Sequence, residues 1–206
     1  MHDIYQKRKR AFIDRRGWDI RTYDGGDFEV DQFDDPTTIY ITTWHDEVSG
    51  CVRLRPYNSP NLTACCFSWL INGSSCGEKV ISLDHEADFW EASRFFVSPN
   101  FDFLGGGRSD IRMHVLLLAM LKFAIQGRVS KYAVIVDDLM MRLLRMSGWN
   151  PMLLNSGAGS NAERIHYCHL PCNTSSYLSV LRRAQGSFSF PSRAVNSIGN
   201  PFPSSC

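Results

Sequence analysis

The sequence predicts an α/β protein, a central sheet with helices on both faces, and three observations carry that prediction. Apolar residues recur at helical spacing near the amino terminus and again over residues 109–126. β-Branched and aromatic runs at 37–44, 51–57, 89–97 and 132–137 read as strands. Helix and strand signals then alternate through the second half of the chain, which is the pattern of a sheet covered on both sides. With 206 residues, 44% of them hydrophobic and 21% charged, the chain can bury one core, and wholesale disorder is excluded. A net charge of +1 excludes nucleic-acid or membrane binding driven by overall charge.

The first element is a helix over Asp3 to Arg16, with Ile4, Ala11 and Phe12 on one stripe and Gly17 as its stop. Arg8 lies on that same apolar stripe. It either snorkels or meets counter-charge, and the supply is close: residues 1–22 carry seven basic and three acidic groups, while residues 24–35 carry six acidic and no basic ones. The two segments are expected to face each other.

A hairpin follows, with strands at 37–44 and 51–57 and a turn over His45 to Gly50. Arg53 and Arg55 share one face of its second strand and need anions beside them. Residues 58–88 read as irregular. The run from Phe89 to Val97 is a strand that holds Glu91, Ser93 and Arg94 among apolar residues. Buried polar groups cost stability unless paired, so this strand is the leading site candidate. Alternation places Glu91 and Ser93 on one face and Arg94 on the other, so the three converge only if the strand is bulged.

Gly105, Gly106, Gly107 and Arg108 precede the long apolar helix of 109–126, an arrangement that lets backbone N–H groups approach a phosphate, although glycine-rich loops before helices also occur without ligands. A buried strand at 132–137, a helix capped by Asp137 or Asp138 and a last strand at 165–170 complete the pattern. Residues 1–184 are expected to form one domain, with at most a turn or two of helix at 177–183, and residues 185–206, rich in serine and proline, a disordered tail.

The longest apolar run, Val115 to Leu121, is far short of the roughly 20 residues that span a bilayer, and the amino terminus lacks a secretory stretch. A cytoplasmic chain without membrane insertion is expected. Seven cysteines without paired C-x-x-C spacing are read as reduced thiols, and no metal site is expected.

Four blocks in this order resemble the acyl-homoserine-lactone synthases of the LuxI type, the bacterial autoinducer synthases of quorum sensing. They are Arg8-x-x-x-Phe12 with Gly17-Trp18; Glu29-Val30-Asp31-Gln32-Phe33-Asp34; Gly50-Cys51-Val52-Arg53-Leu54; and Trp90-Glu91-Ala92-Ser93-Arg94-Phe95. The resemblance covers Tyr5 to Leu170 and implies a GNAT-like acyltransferase fold, a mixed central sheet with a bulged strand. It also implies the reaction: S-adenosylmethionine is acylated on its amine by an acyl thioester of acyl carrier protein or coenzyme A, then closes to a lactone and releases methylthioadenosine. S-adenosylmethionine is a substrate, so no cofactor is implied.

By the same resemblance, Arg8, Phe12, Trp18, Asp31, Asp34 and Arg53 hold S-adenosylmethionine. Glu91, Ser93, Arg94 and Phe95 form the catalytic strand, with Glu91 as base and the backbone at Phe95 as oxyanion donor. Gly105, Gly106, Gly107 and Arg108 take the phosphopantetheine, and Val134 lines the acyl tunnel. An acidic carrier would dock on Arg108, Arg112, Lys122, Arg128 and Lys131. Family members carry a longer leader, with a first strand, ahead of the position of Arg8, where this chain has seven residues, and after Arg53 the common Leu-Pro-Thr is replaced by Leu54-Arg55-Pro56-Tyr57. Two other readings fit fewer of these residues. A GNAT-type transferase using acyl-coenzyme A and another amine leaves the Arg8, Phe12, Trp18, Asp31 and Asp34 set unexplained. A nucleic-acid-binding protein leaves Glu91 and the acidic segment without a role.

Overall fold

Strands β1 (Ile39–His45), β2 (Glu47–Pro56), β3 (Phe89–Val97), β4 (Lys131–Asp137), β5 (Met152–Ala158) and β6 (Arg164–Pro171) form one sheet in the order β1-β2-β3-β4-β6-β5. The computed structural model describes residues 1–20, 23–72, 88–98 and 111–187. The sheet is mixed: β3 and β4 are parallel and every other neighbouring pair is antiparallel. One face is apolar. Val52, Leu54, Ala92, Val134, Val136 and Leu170 pack there beneath α4 (Ile111–Gln126), α5 (Asp138–Met146) and α6 (Thr174–Ser187). The opposite face is covered by α1 (His2–Lys9), α2 (Leu62–Cys66) and α3 (Ser68–Asn72), and it carries the charged side chains of β2 and β3.

The expected first helix is present but changes pitch. α1 continues as a π-helical turn over Arg10–Asp14, where Arg15 N–H donates to the Arg10 carbonyl at 3.1 Å. The hairpin turn is tighter than the sequence suggests, because residues 47–50 belong to β2 and Asp46 alone turns the chain at φ +60°. Gly50 permits this close pairing, since a Cβ there would meet Thr43 Oγ1 at 2.7 Å and the Phe96 carbonyl at 3.2 Å.

Residues 58–72, read as irregular, hold the short helices α2 and α3, the first capped by the Asn61 side chain accepting from Ala64 N–H. β5 was not expected at all. It is an edge strand with Met152, Leu153 and Leu154 exposed, and so lacks the alternation that marks half-buried strands. α6 is longer than the turn or two expected, because Val180 and Ala184 bury against the core, and it crosses the expected domain boundary at 184. The remaining tail, 188–206, and the Gly105–Arg108 stretch lie outside the described residues.

Two features prepare the site. The β3–β4 ladder holds only from Phe89–Lys131 to Glu91–Ala133, although both strands run on, so they splay beyond Glu91. Opposite β2, Cys51 pairs with Phe96 and Arg53 with Ser93, so Val52 faces both Arg94 and Phe95. This is the expected bulge. Arg94 takes φ +54°, a conformation that costs a non-glycine residue energy and that the surrounding contacts must hold.

Candidate active site

The bulge turns Arg94 to the face that already carries Arg53, Glu91 and Ser93. Arg94 there completes a closed ring of alternating charge. Arg8 Nε donates to Glu29 at 2.5 Å, Glu29 accepts from Arg94 Nη2 at 2.9 Å, and Arg94 Nη2 also donates to Asp31 at 2.9 Å. Asp31 accepts from Arg53 Nη1 at 2.5 Å, Arg53 Nη1 donates to Asp34 at 2.9 Å, and Asp34 accepts from Arg8 Nη1 at 2.7 Å. Three arginines and three carboxylates thus balance, and none of the six side chains is more than 8% exposed. Burying charge is tolerated only with such pairing. Arg8 does not snorkel; it is core, and the basic and acidic segments face each other through it.

The acidic loop is built for this role. Asp31 Oδ1 accepts from Phe33 N–H, Asp34 Oδ2 accepts from Asp31 N–H, and Tyr40 donates its hydroxyl to Asp34. Arg55 clamps the loop from below, reaching Asp35 at 2.8 Å, the Phe33 carbonyl at 2.7 Å and the Thr38 hydroxyl. Every carboxylate oxygen of the ring is therefore engaged. Arg8 Nη2 and Arg53 Nη2, by contrast, are buried donors without a partner among the described residues, the kind of vacancy that an acceptor on a ligand or a water fills.

Burial works against ionisation of Asp34, but Arg8, Arg53 and the Tyr40 hydroxyl override it and hold the carboxyl well below the usual carboxylate range. Burial also opposes the charge on Arg8, and Glu29 and Asp34 again reverse the sign and raise its pKa. Asp34 thus contributes stability that is fully present above the unfolded carboxyl pKa of about 3.9 and is lost as pH falls through its lower folded value. The stability difference between wild type and Asp34→Asn, from denaturant titrations, should be constant above about pH 5 and shrink below about pH 4. A difference unchanged down to pH 2 would show that Asp34 does not depend on its charge.

Glu91 lies outside the ring and is fully buried. One of its oxygens accepts from Thr63 N–H at 2.6 Å, which fixes α2 over the site, and the other has, among the described residues, only the Ser93 hydroxyl at 3.3 Å. Ser93 in turn accepts from Arg53 Nε at 3.1 Å, linking Glu91 to the ring. Phe12 and Trp18 stack at 5.2 Å with planes 9° apart; Phe12 is 2% exposed and Trp18 half-buried, so Trp18 is the ring a ligand can reach. Arg16 lies over Trp18 and donates to Asp137 at 2.6 Å, tying the end of the first helix to the end of β4.

The structure thus brings together Arg8, Asp31, Asp34, Arg53, Glu91, Ser93 and Arg94, with Phe12 and Trp18 beside them. Phe95 leaves this face and packs on the apolar side, so any catalytic part it plays is through its backbone. Val134 is buried in that apolar face beneath α4. Of the expected carrier surface, Lys131 lies over the Phe89 ring at 4.9 Å and Arg108 is outside the described residues. Glu29, Tyr40 and Arg55 were missed as site residues. For Glu29 the signal was available, since Arg8 and Arg94 each needed an anion and Glu29 stands two residues before Asp31.

The autoinducer synthase family profile matches residues 1–180. An acyl-homoserine-lactone synthase of Enterobacter agglomerans is 32% identical over 171 residues, which is 82% of this chain and 74% of the relative. One from Pectobacterium carotovorum subsp. carotovorum is 28% identical over 197 residues, or 94% of this chain and 85% of the relative. Among solved structures, the coenzyme A-dependent acyl-homoserine lactone synthase BjaI, with S-adenosylmethionine and isopentyl-coenzyme A, superposes with a TM-score of 0.73 at 19% identity, covering 89% of this chain and 81% of that one.

Proposed function

The chain belongs to the autoinducer synthase family, an acyltransferase family of GNAT-like fold, and from that premise we propose how its own residues make an acyl-homoserine lactone. The observation that carries the reading is the neutral ring with two orphaned guanidinium donors beside a carboxylate that has spare capacity. The substrate is S-adenosylmethionine. Its carboxylate fits the free Nη2 groups of Arg8 and Arg53, by charge-assisted hydrogen bonds. Trp18 offers an aromatic face to the adenine or the sulfonium. Asp31 and Asp34 act chiefly by holding these arginines, since their oxygens are already occupied.

The amine of S-adenosylmethionine is largely protonated near neutral pH and must lose a proton before it attacks. Glu91, through its less engaged oxygen or a water on it, takes that proton. The amine then adds to the thioester carbonyl in the splay between β3 and β4. The backbone at the Arg94–Phe95 bulge faces the oxyanion, and the carrier thiolate leaves as the amide forms. In the second step the substrate carboxylate attacks the carbon bound to sulfur. That C–S bond breaks, the lactone closes and methylthioadenosine departs. The sulfonium is already a good leaving group, so this step needs positioning and no resident cofactor or metal. The donor is a phosphopantetheine thioester, carried by acyl carrier protein or coenzyme A. Among the described residues no helix is long and apolar enough to cross a membrane, and the chemistry uses no nucleic acid.

Purified protein given S-adenosylmethionine and a panel of acyl-carrier-protein and coenzyme A thioesters should release methylthioadenosine in step with acyl-homoserine lactone. Acylation of another amine without methylthioadenosine would instead establish the GNAT-type alternative.

Val134 bears on the acyl group. It has no donor, and a 3-oxo oxygen buried against it would go unpaired at a cost of about 1 to 3 kcal/mol, or roughly 5- to 150-fold in selectivity. The native product is therefore an unsubstituted acyl chain, and Val134→Thr should shift preference toward 3-oxo donors. Mass spectrometry of the product checks this; a predominant 3-oxo product from wild type refutes it.

A further inference from the structure

The apolar face of the sheet carries a second group of polar side chains that acyl transfer leaves unused. β5 and β6 bring Ser156 and His166 side by side as register partners, and His166 is in turn the partner of Val136 on β4, so these side chains share the face covered by α4, α5 and α6. Ser156 Oγ lies 2.7 Å from His166 Nδ1, and His166 Nε2 lies 2.7 Å from Asp138 Oδ1 in the first turn of α5. His166 is buried, Ser156 half-buried and Asp138 exposed. The charged ring occupies the opposite face, and β5 stands three strands from β3, or about 14 Å at the usual strand spacing.

The two contacts fix the direction of proton flow. A carboxylate only accepts, so Asp138 places the proton of a neutral imidazole on Nε2. Nδ1 is then the nitrogen with the lone pair, and the Ser156 hydroxyl donates to it. A hydroxyl bonded to a base that a carboxylate orients in turn is the arrangement that activates a serine nucleophile. The ring nitrogens have exchanged the parts they play in serine proteases, but the relay needs only that one faces the hydroxyl and the other the acid. Once Nδ1 takes the proton, the imidazolium faces a carboxylate.

The surroundings indicate the substrate. Leu153 pairs with Cys168 and so shares the face of Ser156; it is 47% exposed, and Leu139, next to Asp138, is 55% exposed. Apolar side chains open to a ligand thus flank both ends of the relay, which suits an aliphatic acyl group. Ser156 N–H, which donates to the Asn155 side-chain oxygen at 2.9 Å, is the backbone donor beside a carbonyl under attack.

We propose that Ser156, His166 and Asp138 form a second catalytic site, which hydrolyses aliphatic acyl esters with Ser156 as nucleophile, His166 as base and Asp138 positioning the ring. In the first step Ser156 Oγ bonds to the ester carbonyl carbon and its proton passes to His166 Nδ1. The C–O bond to the alcohol breaks and the alcohol takes that proton. In the second step water gives a proton to Nδ1 and adds to the acyl carbon. The Oγ–C bond then breaks, Ser156 regains the proton and the carboxylic acid leaves, so ester and water are the only reactants.

The test is hydrolysis of p-nitrophenyl butyrate and p-nitrophenyl acetate by the purified full chain. Wild type should turn both esters over repeatedly, with the lower KM for butyrate, and Ser156→Ala should lower kcat/KM by about 10²- to 10⁴-fold. Asp138→Asn should lower kcat at unchanged KM, and Asp138→Glu should recover part of the loss, a split that a merely structural carboxylate would not produce. Neither position is buried, so these variants should keep their fold, which circular dichroism checks. Diisopropyl fluorophosphate should form an Oγ–P bond at Ser156 with loss of fluoride, read by peptide mass spectrometry. Methylthioadenosine release should stay at the wild-type rate in Ser156→Ala. No turnover by wild type, full hydrolysis by Ser156→Ala, or labelling at another residue overturns the proposal and leaves the synthase reading intact. Equal KM values for the two esters overturn the aliphatic subsite, and loss of methylthioadenosine release in Ser156→Ala overturns the separateness of the two sites.

Discussion

Glu91→Gln is expected to slow methylthioadenosine release by about 10²- to 10⁴-fold, the range of a lost general base. The substitution is close to a pure removal of charge. A glutamine oxygen can still accept from Thr63 N–H, so α2 keeps its seat, and the contact with the Ser93 hydroxyl needs no carboxylate. The ring is untouched, because Glu91 meets it only through Ser93 and Arg53 Nε. Affinity for S-adenosylmethionine by calorimetry should therefore change little while kcat collapses. The slowed step should regain rate as pH is raised, when the amine of the substrate loses its proton unaided. Wild-type rates in this variant would reduce Glu91 to an anchor for α2.

The parts of this architecture that the sequence announces are those where one period or one charge pattern decides the outcome. Phe89–Val97 declares its bulge because Glu91, Ser93 and Arg94 are too polar for a buried strand unless they meet, and strict alternation forbids that. β4 and α4 declare themselves by apolar periodicity. β5 does not, because Met152-Leu153-Leu154 is apolar on both faces of an edge strand, and neither period is visible. α2 and α3 are five residues each and owe their form to tertiary contacts: the Glu91 carboxylate on Thr63 N–H and the burial of Leu70. The ring lies between these cases. Its charges were legible one by one, yet which carboxylate meets which arginine depends on Arg94 sitting at φ +54° and on the turn from Asp31 to Asp34, which no spacing rule gives. The sequence offers Glu29 as an anion near Arg8 and Arg94, but its place as their shared partner is set by those two features.

Arg8→Met should abolish turnover and also destabilise the fold, although its motif alone marks it as a substrate residue. Removing the guanidinium strips Glu29 of a 2.5 Å partner and Asp34 of a 2.7 Å one and leaves two buried carboxylates short of positive charge. Breaking a buried pair in this way costs about 3 to 5 kcal/mol. In a chain of this length that lowers Tm by roughly 6 to 20 °C. Glu29→Gln should be costly for the mirror reason, because Arg8 and Arg94 each lose one of their two carboxylate partners. The double variant Arg8→Met/Glu29→Gln restores neutrality, so its loss should fall short of the sum of the two single losses by about 1 to 3 kcal/mol. Activity should not return with stability. Arg94 still lacks one of the two carboxylates that hold its side chain at the bulge, and the Nη2 donor of Arg8 assigned to the substrate carboxylate is gone. Thermal denaturation of the four proteins, read beside methylthioadenosine release, separates the two roles. Strictly additive losses would mean that the six side chains act as separate pairs, and recovered activity in the double variant would remove Arg8 from the substrate site.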